Sequence, residues 1–86
     1  MRYRKKTTIR AIRYVDNEHE IFDFANRYAN RNQALFKAFQ KNFFIIETLE
    51  GTLKLNHGDW LAVGIEGEMY PIKNDIFIKT YEPVNE

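Results

Sequence analysis

Residues 43–82, FFIIETLEGTLKLNHGDWLAVGIEGEMYPIKNDIFIKTYE, decide the fold. Their apolar runs are short, rich in aromatic and β-branched residues, and cut at regular intervals by Glu50-Gly51, His57-Gly58-Asp59, Glu66-Gly67 and Asn74-Asp75. Runs of this length between turn-forming residues read as strands, with glycine supplying the positive φ that tight turns demand. FFIIETL, TLKLN, WLAVGI, EMYPIK and IFIKTYE are therefore expected to be strands. Pro71 cannot donate to a ladder, so its strand should lie at an edge or carry a bulge, and Gly64 inside a run suggests a bulge or a close backbone contact.

Working back toward the N-terminus, residues 7–15, TTIRAIRYV, form a further expected strand. A period of two puts Ile9, Ala11 and Val15 on one face and Arg4, Lys6, Arg10 and Tyr14 on the other. Ile12 falls among the basic residues and Arg13 among the apolar ones. Asn17 with Glu20 has the form of a capping box, and Ile21, Phe22, Phe24, Ala25, Tyr28 and Ala29 follow at helical spacing. This predicts an amphipathic helix over about residues 17–30, its aromatic stripe serving the core. Residues 34–40, ALFKAFQ, fit either a helix or a strand, and the hairpin-like Lys41-Asn42 before FFIIETL favours the strand. The expected architecture is α+β in a single domain over residues 1–86. One amphipathic helix packs on a curved antiparallel sheet of five to seven short strands, with a partly open small barrel as the alternative.

Composition narrows the chemistry. Eighty-six residues bury only a small core, to which seven Phe, five Tyr and one Trp can contribute heavily. Cysteine is absent, which removes disulfides and thiolate metal sites, and serine is absent too, which removes the two commonest acyl-transfer nucleophiles. His19 and His57 have no second histidine or cysteine at ligand spacing, so no metal and no cofactor is expected. Glu66 with Glu68, or Asp59 with Glu68, could pair as carboxylates, but glycosidase-like work needs a cleft that so short a chain can hardly wall. The four glycines are dispersed and form no phosphate loop. No catalytic residue is assigned and no enzyme is expected. The basic start is not followed by a signal-like apolar stretch, and no run could span a bilayer, so a soluble protein of the cytoplasm is expected.

Charge is unevenly spread. Residues 1–15 hold six basic residues and no acid, whereas the rest holds seven basic and twelve acidic residues. The basic strand could face an anion, with Arg4, Lys6 and Arg10 holding phosphate and Tyr14 or Trp60 stacking on a base. The near-neutral total argues against strong nonspecific nucleic-acid binding. Asp59 is expected to cap its own turn by accepting backbone N–H bonds, and Trp60 to pack against the helix. In the functional alternative Trp60 and Tyr70 are the other candidate binding residues, as exposed aromatic anchors for a partner.

Several blocks, in order, resemble a small protein family of bacteriophages and prophages. They are the basic start Met1-Arg2-Tyr3-Arg4-Lys5-Lys6, then Ile46-Glu47-Thr48-Leu49-Glu50-Gly51, Gly58-Asp59-Trp60, Gly67-Glu68, Tyr70-Pro71, Asp75-Ile76-Phe77 and Thr80-Tyr81-Glu82. They span about two-thirds of the chain. His57 stands where the family often has proline, Ile72 and Asn74 around Lys73 also depart from it, and residues 16–42 do not match. The resemblance implies a phage-type origin and setting, with no catalytic residues to carry over. From it comes the leading expectation: a non-enzymatic accessory protein that binds a bacterial or phage macromolecule, for instance by inhibiting a host or antiviral-defence enzyme such as a CRISPR nuclease. The alternatives are a binder of a small nucleotide ligand or single-stranded nucleic acid, and a minor virion or assembly component. An exposed sheet edge could also make a homodimer.

Overall fold

The computed structural model describes residues 8–84. In chain order the elements are β1 (Arg10–Arg13), α1 (Glu18–Tyr28), β2 (Ala34–Lys37), β3 (Phe43–Thr48), β4 (Gly51–Asn56), β5 (Trp60–Val63), β6 (Met69–Ile72) and α2 (Asn74–Thr80). The class is α+β, as expected. The strands divide into two three-stranded antiparallel sheets, ordered β1-β5-β6 and β2-β3-β4, and no barrel closes.

The division is made at residues 57–59. A hairpin there would have kept β4 and β5 together. Instead the turn is captured by the end of β1: the Gly58 N–H donates to the Tyr14 carbonyl (2.7 Å), the Tyr14 N–H to the Asp59 carbonyl (2.9 Å), and Arg13 Nε to the Gly58 carbonyl (2.8 Å). Strand β5 therefore leaves paired to β1, in register Arg13↔Trp60. The β3–β4 hairpin is regular, with Thr48 opposite Gly51 and Leu49-Glu50 as its two-residue turn. Residues 34–37 are the strand the hairpin layout favoured. Strand β6, which carries Pro71, is an edge of its sheet, where the missing donor costs least.

The core lies between the sheets and α1. Phe44 is at its centre, fully buried, with Tyr14 edge-on at 4.9 Å and Phe22 edge-on at 5.3 Å. Ile21 and Ala25 supply the buried stripe of α1, and Ile46, Leu55, Leu61, Val63 and Met69 come from the strands. The 11-residue helix is too short to hold by propensity alone, so this stripe is what fixes it.

Three expectations are corrected. Strand β1 is turned over: Ile12 and Tyr14 face the core, and Tyr14 is only 1% exposed, whereas Val15 is exposed. Because strand faces alternate, choosing the Tyr14 face moves every neighbour with it, and a buried tyrosine ring removes more area from water than a valine. The Asn17 capping box does not form. The Asn17 side chain instead accepts from the Val15 N–H (2.7 Å) and donates to the Arg13 carbonyl (3.0 Å), tying off the turn in which Asp16 has φ 65°.

The third correction is α2, expected as a strand. Asn74, Phe77 and Tyr81 are three and four residues apart, so in a helix they share one side. That side rests on Trp60: Trp60 Nε1 donates to Asn74 Oδ1 at 2.9 Å, Phe77 stacks on the indole at 3.9 Å, and Tyr81 follows Phe77 at 5.2 Å. Asp59, expected to cap its own turn, reaches across to accept the Asn74 N–H at 3.3 Å. Ile76 and Ile78, within the same helix, stay exposed.

Candidate functional site

The two sheets differ on their outer faces. In the first sheet the outward residues include Trp60, Ala62, Tyr70 and Ile72; α2 rests on Trp60, Tyr81 just after it meets Tyr70, and Ala62 is 0% exposed. In the second sheet no described segment covers the outer face. Across it runs the row Phe36–Ile45–Lys54, and along β3 run Phe43, Ile45 and Glu47. Phe36 is 50% exposed, and Phe39, in the loop that follows β2, is 85% exposed. The Lys54 ammonium lies over the Phe43 ring at 4.1 Å. An open sheet face is ordinarily polar, so two phenylalanines and an isoleucine on adjoining strands are a site in search of a cover.

The residues singled out from the sequence do not form one site. Arg4 and Lys6 lie outside the described residues. Arg10 is exposed, but its guanidinium sits 4.4 Å from the centre of the Tyr28 ring of α1. Tyr14 is in the core, so it has no face to offer a base, and burial, followed by the charges of Glu18 and Asp16, raises its hydroxyl pKa above the usual tyrosine value. Trp60 and Tyr70 do come together, under α2. Burial raises the Tyr70 pKa, with Tyr81 and Glu68 adding to it. The Trp60 indole gives one face to Phe77 and its N–H to Asn74, so it acts as an anchor for α2.

The remaining polar candidates are spent on structure. His57 Nε2 is 3.2 Å from Asp16 Oδ1, and its ring meets Tyr14 edge-on at 5.4 Å. Glu68 folds back over Gly64 and accepts the Glu66 N–H at 3.0 Å, so Glu66 and Glu68 form no free carboxylate pair. A shallow cleft of about 450 Å³ beside α1 has Phe22, Ala25, Leu35 and Met69 on its floor. Its Gln33 amide is taken up by Met69, donating to the carbonyl at 3.1 Å and accepting the N–H at 2.6 Å. Among the described residues no group of three or more His, Asp or Glu is arranged to hold a metal ion, and no helix is long and apolar enough to cross a membrane.

Phe36, Phe43, Ile45, Glu47 and Lys54 were not singled out from the sequence. The signal was present in Phe43-Phe44-Ile45-Ile46, where both faces of one strand are apolar. Phe44 and Ile46 supply the core, which leaves Phe43 and Ile45, both half-buried, on the opposite face of the strand. No family model, curated protein or solved structure matches the chain significantly.

Proposed function

We propose that the chain is a non-enzymatic accessory protein of the bacteriophage type whose work is binding, and that its docking surface is the outer face of the second sheet. The supporting observation is the contrast between the sheets: α2 lies over the outer aromatics of one, while Phe36, Phe43 and Ile45 of the other have no described cover. The occupant this face suits is another protein. Its centre is aromatic and aliphatic, the make-up of interface cores, and its charges, Glu47 and Lys54, cancel, so it offers no attraction to a polyanion.

In the bacterial cytoplasm, such a surface could cover a working surface of a host protein. An antiviral-defence enzyme, such as a CRISPR nuclease, is the concrete form of this reading. Nucleotide or single-strand binding by β1 is less well supported, because Arg10 is engaged by Tyr28 and Tyr14 is buried.

The test is a paired capture from infected bacterial cells with the wild-type chain and Ile45→Lys, after both are shown to have the same circular dichroism and melting temperature. The reading requires a protein, whether a host protein or an untagged second copy of the chain made in the same cells, held by the wild type and released by the variant. Equal capture by both, or none by either, overturns it.

A further inference from the structure

We infer that the protein seated on this face is a second copy of the chain, docked face to face across a two-fold axis. The inference rests on the reading of the face as a protein-docking surface and names its occupant.

The geometry is that of a cross with Ile45 at the centre. One arm runs along β3, with Phe43 at one end and Glu47 at the other. The second arm runs across the sheet, with Phe36 at one end and Lys54 at the other, both in register with Ile45. Each arm thus has one aromatic end and one charged end, and the two charges are opposite. The arms are also of similar length: two residues along a strand span about 6.8 Å, and adjacent strands lie about 4.8 Å apart.

A closed two-fold contact must be self-complementary, each residue meeting its counterpart in both directions. An axis in the plane of the face, bisecting the arms, meets that demand. It lays the strand arm of one copy on the cross-strand arm of the other. Glu47 then meets Lys54 of the second copy, Phe43 meets Phe36 of the second copy, and Ile45 meets itself. The two sheets cross at about 90°, one of the two ordinary ways for sheets to pack. In the single chain the Lys54 ammonium lies over the Phe43 ring at 4.1 Å, and on docking it turns from that ring, which the second copy's Phe36 takes over, to the second copy's Glu47. Every other in-plane two-fold through Ile45 that keeps the strands aligned or perpendicular puts Glu47 on Glu47, Lys54 on Lys54, or both charges on aromatic rings. The arrangement also differs from strand addition, since the edge of β2 is not used.

Mass by sedimentation equilibrium, from about 1 to 500 µM, tests this. The wild type is expected to be a concentration-dependent dimer. Glu47→Lys and Lys54→Glu should each weaken dimerisation at least tenfold, because each sets like charges against one another. The decisive arm is the mixture: Glu47→Lys with Lys54→Glu makes both cross-contacts attractive, so two chains that are monomeric alone should form a heterodimer when combined. The doubly swapped chain should dimerise within about threefold of the wild type. Loss of folding cannot imitate either rescue. A wild type that stays monomeric over the whole range overturns the inference, as does a dimer indifferent to both substitutions. If the chain is monomeric yet capture still depends on Ile45, the second copy is ruled out and the docking face stands. If the chain is monomeric and capture is also unaffected by Ile45→Lys, both fall.

Discussion

Trp60 and Phe77 lie ring on ring, with centroids 3.9 Å apart and planes 9° from parallel, and this stack holds α2 to the first sheet. The helix has seven residues, none of them fully buried. It cannot stand without that contact, because a helix this short does not repay its nucleation in water.

Phe77→Ala should therefore release α2. An aromatic pair contributes about 0.5–1.5 kcal/mol beyond its area burial, so a total loss of about 2 kcal/mol is expected. Trp60 is the sole tryptophan and reports the event directly. Its emission should shift to the red in folded Phe77→Ala, and the urea midpoint should fall. Unchanged emission would mean that the stack does not hold the helix.

Asn74 joins the same latch from its polar side, with its side-chain oxygen on the indole N–H and its own N–H on Asp59. Asn74→Ala removes the first bond and keeps the second. A loss of about 1 kcal/mol is expected, and Asp59→Ala, which removes the other bond, should cost a similar amount. Chemical denaturation of the two single variants and the double variant measures whether the losses add. Residues within one network are expected to depart from additivity.

Gly67 and Gly51 both have positive φ, 84° and 138°, but differ in their surroundings. A Cβ on Gly67 would stand 2.9 Å from the backbone nitrogen of Asn30, which donates to the Gly67 carbonyl, whereas a Cβ on Gly51 would meet nothing within 4 Å. Gly67→Ala should thus cost more than Gly51→Ala, by about 1–2 kcal/mol, because strain and a displaced hydrogen bond add to the shared backbone penalty. Equal melting temperatures for the two would refute the close approach of Asn30, just after α1, to the β5–β6 turn.

Burial and the nearby Glu18 and Asp16 raise the Tyr14 pKa, so the folded chain keeps its proton to higher pH than the unfolded chain does. The resulting stability is fully present below the unfolded value of about 10 and is lost as pH rises through the folded one. Urea midpoints should be level from pH 8 to near 10 and then fall. Tyr14→Phe should flatten that fall in part, since Tyr70 is shifted in the same direction and remains. An alkaline limb of the same steepness in both chains would exclude Tyr14 as a contributor.

Much of the fold was legible in the residues. The strands over 43–72 and the helix after Asn17 follow from local alternation, helical spacing and turn chemistry, which act within a few residues. The edge placement of Pro71 follows from its missing N–H. The face of β1 was not legible: both sets of alternate residues carry apolar groups, and the choice was made by the room for a tyrosine ring against Phe44. The candidate site was largely illegible for a related reason. Arg10, Tyr14, Trp60 and Tyr70 have the chemistry of binding residues, but each is taken up within the fold, Arg10 by Tyr28, Tyr14 by the core, Trp60 by α2 and Tyr70 beside Tyr81.

By itself, the sequence determined the α+β class, the turn-punctuated strands and the positions of most breaks, because these depend on backbone preference and nearest neighbours. Only the tertiary structure decided that the strands form two sheets, that residues 74–80 are helical, and which aromatics are left uncovered. Those outcomes turn on partners far apart in the chain: Tyr14 on the turn at Gly58 and Asp59, and Trp60 on Asn74 and Phe77. A free phenylalanine and a buried one look the same along a strand, and they differ only in whether some distant segment comes back to cover them.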